Sequence, residues 1–215
     1  TNGHSPREPI RLGIVGTGIF ARDAHLPALR MLGDTFQVVA VCSRRPESAA
    51  TFAGLLPSSV AVYPDLPALL AEADVDALDV VVPPNEMPRA LEISLASGKH
   101  VFSEKPISPD VRSGRTLLAV HARHPGSVWM VGENWRYEAT FIRAAKIVAA
   151  GEIGRPLYCH WADHFHVTPT NKYYSTTWRQ SGTVPGGYLL DSGIHRVAAL
   201  RMIVGEVAEV CALGA

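Results

Sequence analysis

A short apolar run, Ile10-Arg11-Leu12-Gly13-Ile14-Val15, leads directly into Gly16-Thr17-Gly18-Ile19-Phe20-Ala21, and an amphipathic stretch from Ile19 to Leu32 follows. Strand, G-x-G-x-x-A loop and helix in that order leave a chain few ways to fold. The first glycine permits a tight turn, and the second, lacking a side chain, lets a pyrophosphate approach the backbone. The small Ala21 allows close packing of helix on strand, and the helix N-terminus faces the anion. Alone, the pattern marks a tight strand-to-helix turn; on the first strand of a βαβ unit it predicts dinucleotide binding. Gly16, Gly18, Ile19 and Phe20 are then the cofactor contacts of the loop.

The rest of the first 135 residues supplies the βαβ context. Phe36–Cys42, Ser59–Tyr63, Ala77–Val82, His100–Ser103 and Val128–Glu133 read as strands, separated by the amphipathic stretches Pro46–Leu55, Leu66–Ala73, Met87–Ser97 and Asp110–His124. Near-continuous apolar strands alternating with helices predict an α/β, doubly wound (Rossmann) parallel sheet covered on both faces. After Glu133 the texture changes. Ala139–Ala150 reads as a helix, Pro156–Val167 as a long strand, Leu190–Val204 as a helix and Glu206–Leu213 as a strand. This predicts a nucleotide-binding domain over 1–135 and, over 136–215, a partial α+β open-sheet domain that looks truncated.

Composition narrows the class of protein. Equal numbers of basic and acidic side chains give a formal net charge of zero, which offers no electrostatic footprint for nucleic acid. With 47% hydrophobic and 19% charged residues, the chain can form a core. No apolar run approaches the roughly 20 residues of a membrane span, and the opening residues lack a signal-peptide core. Cys42, Cys159 and Cys211 are too widely spaced for a disulfide framework and read as buried thiols of a reducing, cytoplasmic setting.

Three clusters carry candidate chemistry. Ser43-Arg44-Arg45 stands at the end of the second strand, 25 residues past Gly18, where an NAD site would place an acidic residue. A hydroxyl and two guanidiniums suit a 2′-phosphate, so NADP(H) is expected over NAD(H), although NAD(H) stays open. Glu104-Lys105-Pro106 follows a strand at the carboxyl edge of the sheet, where ligands of open sheets bind; Lys105 can stabilise charge developing on a substrate oxygen. The same lysine also reads as an ordinary surface residue, and Pro106 leaves a cis bond open. Asp191 and His195 lie four residues apart on one helix face. The aspartate can orient the imidazole for proton transfer, or it can simply cap the helix while His195 packs.

Together these pieces resemble the glucose-fructose oxidoreductase / inositol dehydrogenase superfamily (Gfo/Idh/MocA). The resemblance rests on Gly16–Ala21, Val80-Val81-Val82-Pro83-Pro84-Asn85, and the string from Ala96 through Lys105-Pro106. Glu133-Asn134-Trp135-Arg136-Tyr137, Gly151-Glu152-Ile153-Gly154, Trp178-Arg179 and Gly186–His195 continue it to the C-terminus. It implies an oxidoreductase that transfers hydride between a nicotinamide and a carbinol or carbonyl carbon of a sugar, polyol or related small molecule. By that resemblance the active site lies between the two domains, and Lys105 hydrogen-bonds the reacting oxygen. His195 is the general acid/base, and Asp191 positions substrate or ring. Pro83, Asn85, Glu104, Trp178 and Arg179 contact the cofactor, while Tyr137, His164 and His166 face substrate.

Three departures qualify the resemblance. Ala198 stands where many relatives carry a further aspartate, and Glu86-Met87-Pro88 where many have a histidine. Typical members also run well beyond 300 residues, so the chain ends inside the expected second sheet; a homo-oligomer through that sheet is expected. His160, His164 and His166 would share one face of a strand at period two, awkward spacing for a single ion, so no metal site is expected. The aromatics Tyr173, Tyr174 and Trp178 either cover the cofactor, stack on a sugar or belong to the packing. A non-catalytic nucleotide-sensing relative and an inert piece of a longer enzyme are the alternative readings.

Overall fold

The computed structural model describes residues 8–164, 166–174, 176–182 and 184–213. The chain divides into two compact units, one of Thr1–Gly132 with Thr183–Pro185 and the other of Glu133–Gly182 with Gly186–Ala215.

The first unit alternates strand and helix. Its elements are β1 (Ile10–Val15), a π-turn (Ala21–His25) running into α1 (Leu26–Met31), β2 (Phe36–Cys42), α2 (Pro46–Ala53), β3 (Ala61–Tyr63) and α3 (Leu66–Glu72). They continue with β4 (Ala77–Val80), α4 (Met87–Ala96), β5 (His100–Ser103), α5 (Val111–His121) and β6 (Trp129–Val131). All six strands are parallel, in the order β3-β2-β1-β4-β5-β6. Strand order reverses between β1 and β4, which creates the crevice where doubly wound sheets bind ligands.

The sequence explains why these elements form. Asp65 and Asp110 cap α3 and α5 by accepting from the backbone N–H of Ala68 and Ser113, at 2.8 and 2.9 Å. Proline opens α2 at its first position, where a missing N–H costs nothing. One face of the sheet packs Leu69, Leu78, Leu91, Leu95 and Leu117 against α3, α4 and α5; the other packs Ile14, Leu26, Val41 and Phe52 against α1 and α2. Each such side chain contributes about 1.5–3 kcal/mol by leaving water. This core fixes the carboxyl ends of the strands.

The second unit holds a 3₁₀ turn (Asn134–Tyr137), α6 (Ala139–Ala149), α7 (Thr177–Gln180) and α8 (Gly187–Val204), with α6 packed on α8. Two expectations are corrected here. Pro156–Val167 and Glu206–Leu213 form no strand among the described residues. A strand requires a partner to take up its N–H and C=O groups, and among the described residues neither segment pairs with one. The face-sharing arrangement of His160, His164 and His166 goes with that strand. Cys159 and Cys211 lie in these two segments and are exposed, so only Cys42 is a buried thiol. Burial, with the charge of Asp65 adding to it, pushes that thiol up to about 12. Among the described residues, no helix is long and apolar enough to cross a membrane.

Candidate functional site

The glycine loop lies at the carboxyl end of β1. Gly16 has φ +98°, and a Cβ there would sit 2.3 Å from the carbonyl oxygen of Val81. Its N–H donates to the Cys42 carbonyl at 2.9 Å, while Val81 N–H donates to the Val15 carbonyl at 2.8 Å. The loop is therefore pinned from both neighbouring strands. Gly18 is exposed, and a Cβ there would meet nothing within 4 Å. A glycine wedged against the next strand beside one that opens to solvent fits a pyrophosphate lying on bare backbone. Thr17 and Ser48 join their hydroxyls at 3.0 Å, tying the loop to α2, beside a recess also lined by Glu47 and Thr51. Ile19 is half-buried and Phe20 is exposed at the loop's end.

Ser43, Arg44 and Arg45 form the turn between β2 and α2, with Arg44 and Arg45 exposed. Arg45 N–H donates weakly to the Ser43 hydroxyl at 3.4 Å, and Arg44 pairs with Glu86. Two guanidiniums thus stand at the turn, with the carboxylates of Glu86 and Glu47 nearby. Pro83 makes the turn that leads into α4, accepting from Glu86 and Met87 N–H at 2.9 and 3.0 Å. Asn85 is exposed beside it.

The Glu104-Lys105-Pro106 turn leaves β5 with a cis bond between Lys105 and Pro106. Lys105 is half-buried, and its N–H donates to the Glu104 carboxylate at 3.2 Å. Glu104 also meets His25 Nε2 at 3.2 Å, and His25 Nδ1 meets Asp79 at 2.8 Å. The side chains of His25, Asp79 and Glu104 are only 8%, 4% and 13% exposed. Burial alone would lower the His25 pKa, but hydrogen bonds and charge from Asp79 and Glu104 outweigh it and raise it to about 9. Burial pushes the Asp79 carboxyl up against the opposing pull of His25. An imidazolium clamped between two carboxylates thus ties the π-turn after the glycine loop to β4 and to the lysine turn. Gly132 makes room for this, since a Cβ there would meet Phe102 at 3.0 Å and Glu104 Oε1 at 3.1 Å.

The second unit brings together a different set. His195 lies on α8, and its Nδ1 is 2.6 Å from Oε1 of Glu133. The same oxygen accepts the N–H of Trp135 at 3.1 Å, capping the 3₁₀ turn. The indole of Trp135 stacks on the imidazole at 5.4 Å between centroids and 19° between planes, and Phe141 and Trp161 extend the stack. The sequence suggests Asp191 as the residue that orients this ring, but the carboxylate facing Nδ1 is that of Glu133. The helix α8 begins at Gly187, so Asp191 is in its second turn rather than at its cap. Its Oδ2 accepts from Nε and a terminal N–H of Arg179, at 3.1 and 2.9 Å. Arg179 lies 4.0 Å from the centroid of the Trp178 ring and 5.5 Å from that of Tyr173. Tyr137 is 66% exposed at the end of the 3₁₀ turn. His164 and His166, with Asp163 and Val167, line an open depression. Among the described residues, no three His, Cys, Asp or Glu side chains are grouped to hold a metal ion.

Sequence reasoning missed His25, Asp79 and Glu133 as members of these sites. The signals were present: Asp79 interrupts the buried run Ala77-Leu78-Asp79-Val80, and Glu133 is an acid placed directly after the sixth strand.

A parallel sheet of this order with a pinned glycine loop at its switch point defines a dinucleotide-binding, Rossmann-type domain. The sequence pattern of the oxidoreductase family with an NAD-binding Rossmann fold matches residues 10–132, and that of the GFO/IDH/MocA C-terminal domain matches residues 141–215. The chain belongs to the Gfo/Idh/MocA family. An oxidoreductase structure from Thermotoga maritima is 37% identical, with TM-score 0.84, covering 92% of this chain and 60% of that one. The dTDP-3,4-didehydro-2,6-dideoxy-α-D-glucose 3-reductase of Actinomadura kijaniata is 32% identical over 94% of this chain and 58% of its own length. A 3-ketoreductase structure from the same organism, in complex with NADP and TDP-benzene, is 28% identical with TM-score 0.73, covering 92% of this chain and 58% of that one. The chain thus spans about three fifths of the length of these relatives.

Proposed function

We propose that the chain is the cofactor-binding and proton-transferring part of an NADP(H)-dependent dehydrogenase or reductase acting on a sugar, polyol or related carbonyl compound. The observation that carries this reading is the glycine loop, with Gly16 wedged against Val81 and Gly18 open to solvent at the switch point of the sheet. Residues 1–135 take the cofactor and 136–215 contribute to substrate binding. Gly16, Gly18, Ile19 and Phe20 hold the pyrophosphate, and Pro83, Asn85, Glu104, Trp178 and Arg179 are further cofactor contacts. The hydroxyl of Ser43 and the guanidiniums of Arg44 and Arg45 suit a 2′-phosphate, which supports NADP(H) over NAD(H).

The bound nicotinamide supplies or accepts the hydride. Lys105 donates a hydrogen bond to the reacting substrate oxygen and stabilises the charge that builds on it. His195 gives or takes the hydroxyl proton at Nε2, since Nδ1 is occupied by Glu133. Asp191, held by Arg179, positions the substrate, and Tyr137, His164 and His166 offer partners to its hydroxyls. The sugar class is supported by the named activity of the Actinomadura relative. The three free cysteines fit a reducing cytoplasm. Exposed apolar side chains of the second unit support self-association.

Fluorescence titration with NADPH and NADH tests the cofactor reading. Tighter NADPH binding is expected; equal or tighter NADH binding overturns the preference, and binding of neither overturns the reading itself. In Lys105→Ala, turnover on a panel of sugars and polyols should vanish while cofactor affinity stays within about threefold. Full activity in that variant would refute the role of the lysine.

A further inference from the structure

We propose that Glu133 is the positioning residue of His195, fixing its tautomer so that Nε2 is the atom left to exchange a proton. The role in turnover rests on the reading of His195 as proton carrier; the placement of the proton on the ring does not.

An ionised carboxylate only accepts hydrogen bonds, so the imidazole nitrogen facing it must carry the hydrogen. Glu133 Oε1 faces Nδ1 at 2.6 Å, and the two side chains are 7% and 17% exposed. Nδ1 is thereby the N–H of the neutral ring, and Nε2 is its lone pair. The carboxylate cannot easily swing away, because the same oxygen caps the 3₁₀ turn through Trp135 N–H at 3.1 Å. Nor can the imidazole turn over freely, because the Trp135 indole lies nearly parallel to it. Glu133 therefore sets both the tautomer and the plane of the ring, as a buried acid does for a histidine that must shuttle protons.

The alternatives around the ring are occupied. Asp191, one turn earlier on α8, accepts two N–H groups of Arg179. Arg196, the next residue, lies over the Trp135 indole at 5.4 Å from its centroid and is held by Asp163 and the carbonyl and hydroxyl of Ser192. Among the described residues, Glu133 is the side chain that pairs with Nδ1 of His195.

The test is ring ¹⁵N–¹H NMR of the full chain, with the His195 signals assigned by their loss in His195→Gln. In the native chain at a pH where the ring is neutral, Nδ1 should be the protonated nitrogen. In Glu133→Ala and in Glu133→Leu, which refills the volume should the alanine variant misfold, the proton should move to Nε2. In Glu133→Gln, whose amide oxygen still accepts, it should stay on Nδ1. A native ring protonated on Nε2 alone, or Nδ1 protonation that persists in the alanine or leucine variant, overturns the proposal. In turnover, Glu133→Ala should lose kcat by about a hundredfold or more with KM within about threefold, and Glu133→Gln should recover most of it. Tautomer changes as expected without any loss of turnover would leave the ring assignment standing and remove His195 from the chemistry. A titration with NADPH that is unchanged by Glu133→Ala separates both from failure of the cofactor reading.

Discussion

At the scale of single residues, Gly16 carries the strictest constraint in the nucleotide-binding unit. Its φ of +98° suits only glycine, and the nearest atom to a Cβ there is backbone, the Val81 oxygen at 2.3 Å, which cannot rotate away. Gly16→Ala should therefore lower the unfolding free energy by about 2–3 kcal/mol, from left-handed strain plus displacement of the β4 end. Urea denaturation followed by circular dichroism measures this, and a loss below about 0.5 kcal/mol would contradict the geometry. Gly18→Ala is the informative contrast. With nothing within 4 Å of its Cβ, stability should stay within about 0.5 kcal/mol while NADPH affinity falls, since the methyl occupies space reserved for the pyrophosphate. Residues of this kind are legible in sequence, because the G-x-G-x-x-A spacing states a backbone requirement. The partners of His25 and Glu133 were not, because a pairing 54 or 62 residues apart leaves no local period.

At the scale of elements, the His25 cluster ties the π-turn, β4 and the lysine turn of β5 together through one imidazolium and two carboxylates. Its folded pKa, about 9, lies above the 6.5 of an unconstrained histidine, so the folded state binds a proton the unfolded state lacks above that pH. The stabilisation is complete below pH 6.5 and is lost as pH rises to 9. Over that window the chain should lose roughly 3 kcal/mol, at 1.36 kcal/mol for each pH unit of displacement. Asp79, also raised, works in the same direction at lower pH. His25→Gln should abolish the slope between pH 6.5 and 9, and at pH 7 should cost about 2–4 kcal/mol because two buried carboxylates lose their cation. Denaturant midpoints across that range would check it; a slope equally steep in the variant assigns the titration elsewhere. The strand ends here followed from pattern, whereas the buried charge pairing that joins them did not. An acid in an apolar strand was visible, but its partner depends on how the π-turn folds back.

At the scale of the molecule, the first unit was legible almost throughout, since each of its six strands lies within two residues of an expected run. The second was not, and the reason is physical. Alternation of side chains marks a segment that could be a strand, but pairing decides whether it is one, and Pro156–Val167 and Glu206–Leu213 find no partner among the described residues. The consequence is exposed apolar surface: Leu157 is 88% exposed, Tyr158 82%, Val210 83% and Leu213 99%. Side chains of this kind, on segments with unpaired backbone groups, favour association with another chain by both hydrophobic burial and strand addition. Sedimentation velocity at increasing concentration should show the chain shifting to species larger than a monomer. Replacing Leu157 and Val210 with Lys should move that equilibrium back towards monomer while leaving the NADPH titration unchanged, because the glycine loop lies in the other unit. A chain that stays monomeric at every concentration tested would show that these segments are covered in some other way, and the assembly reading would fall without touching the nucleotide site.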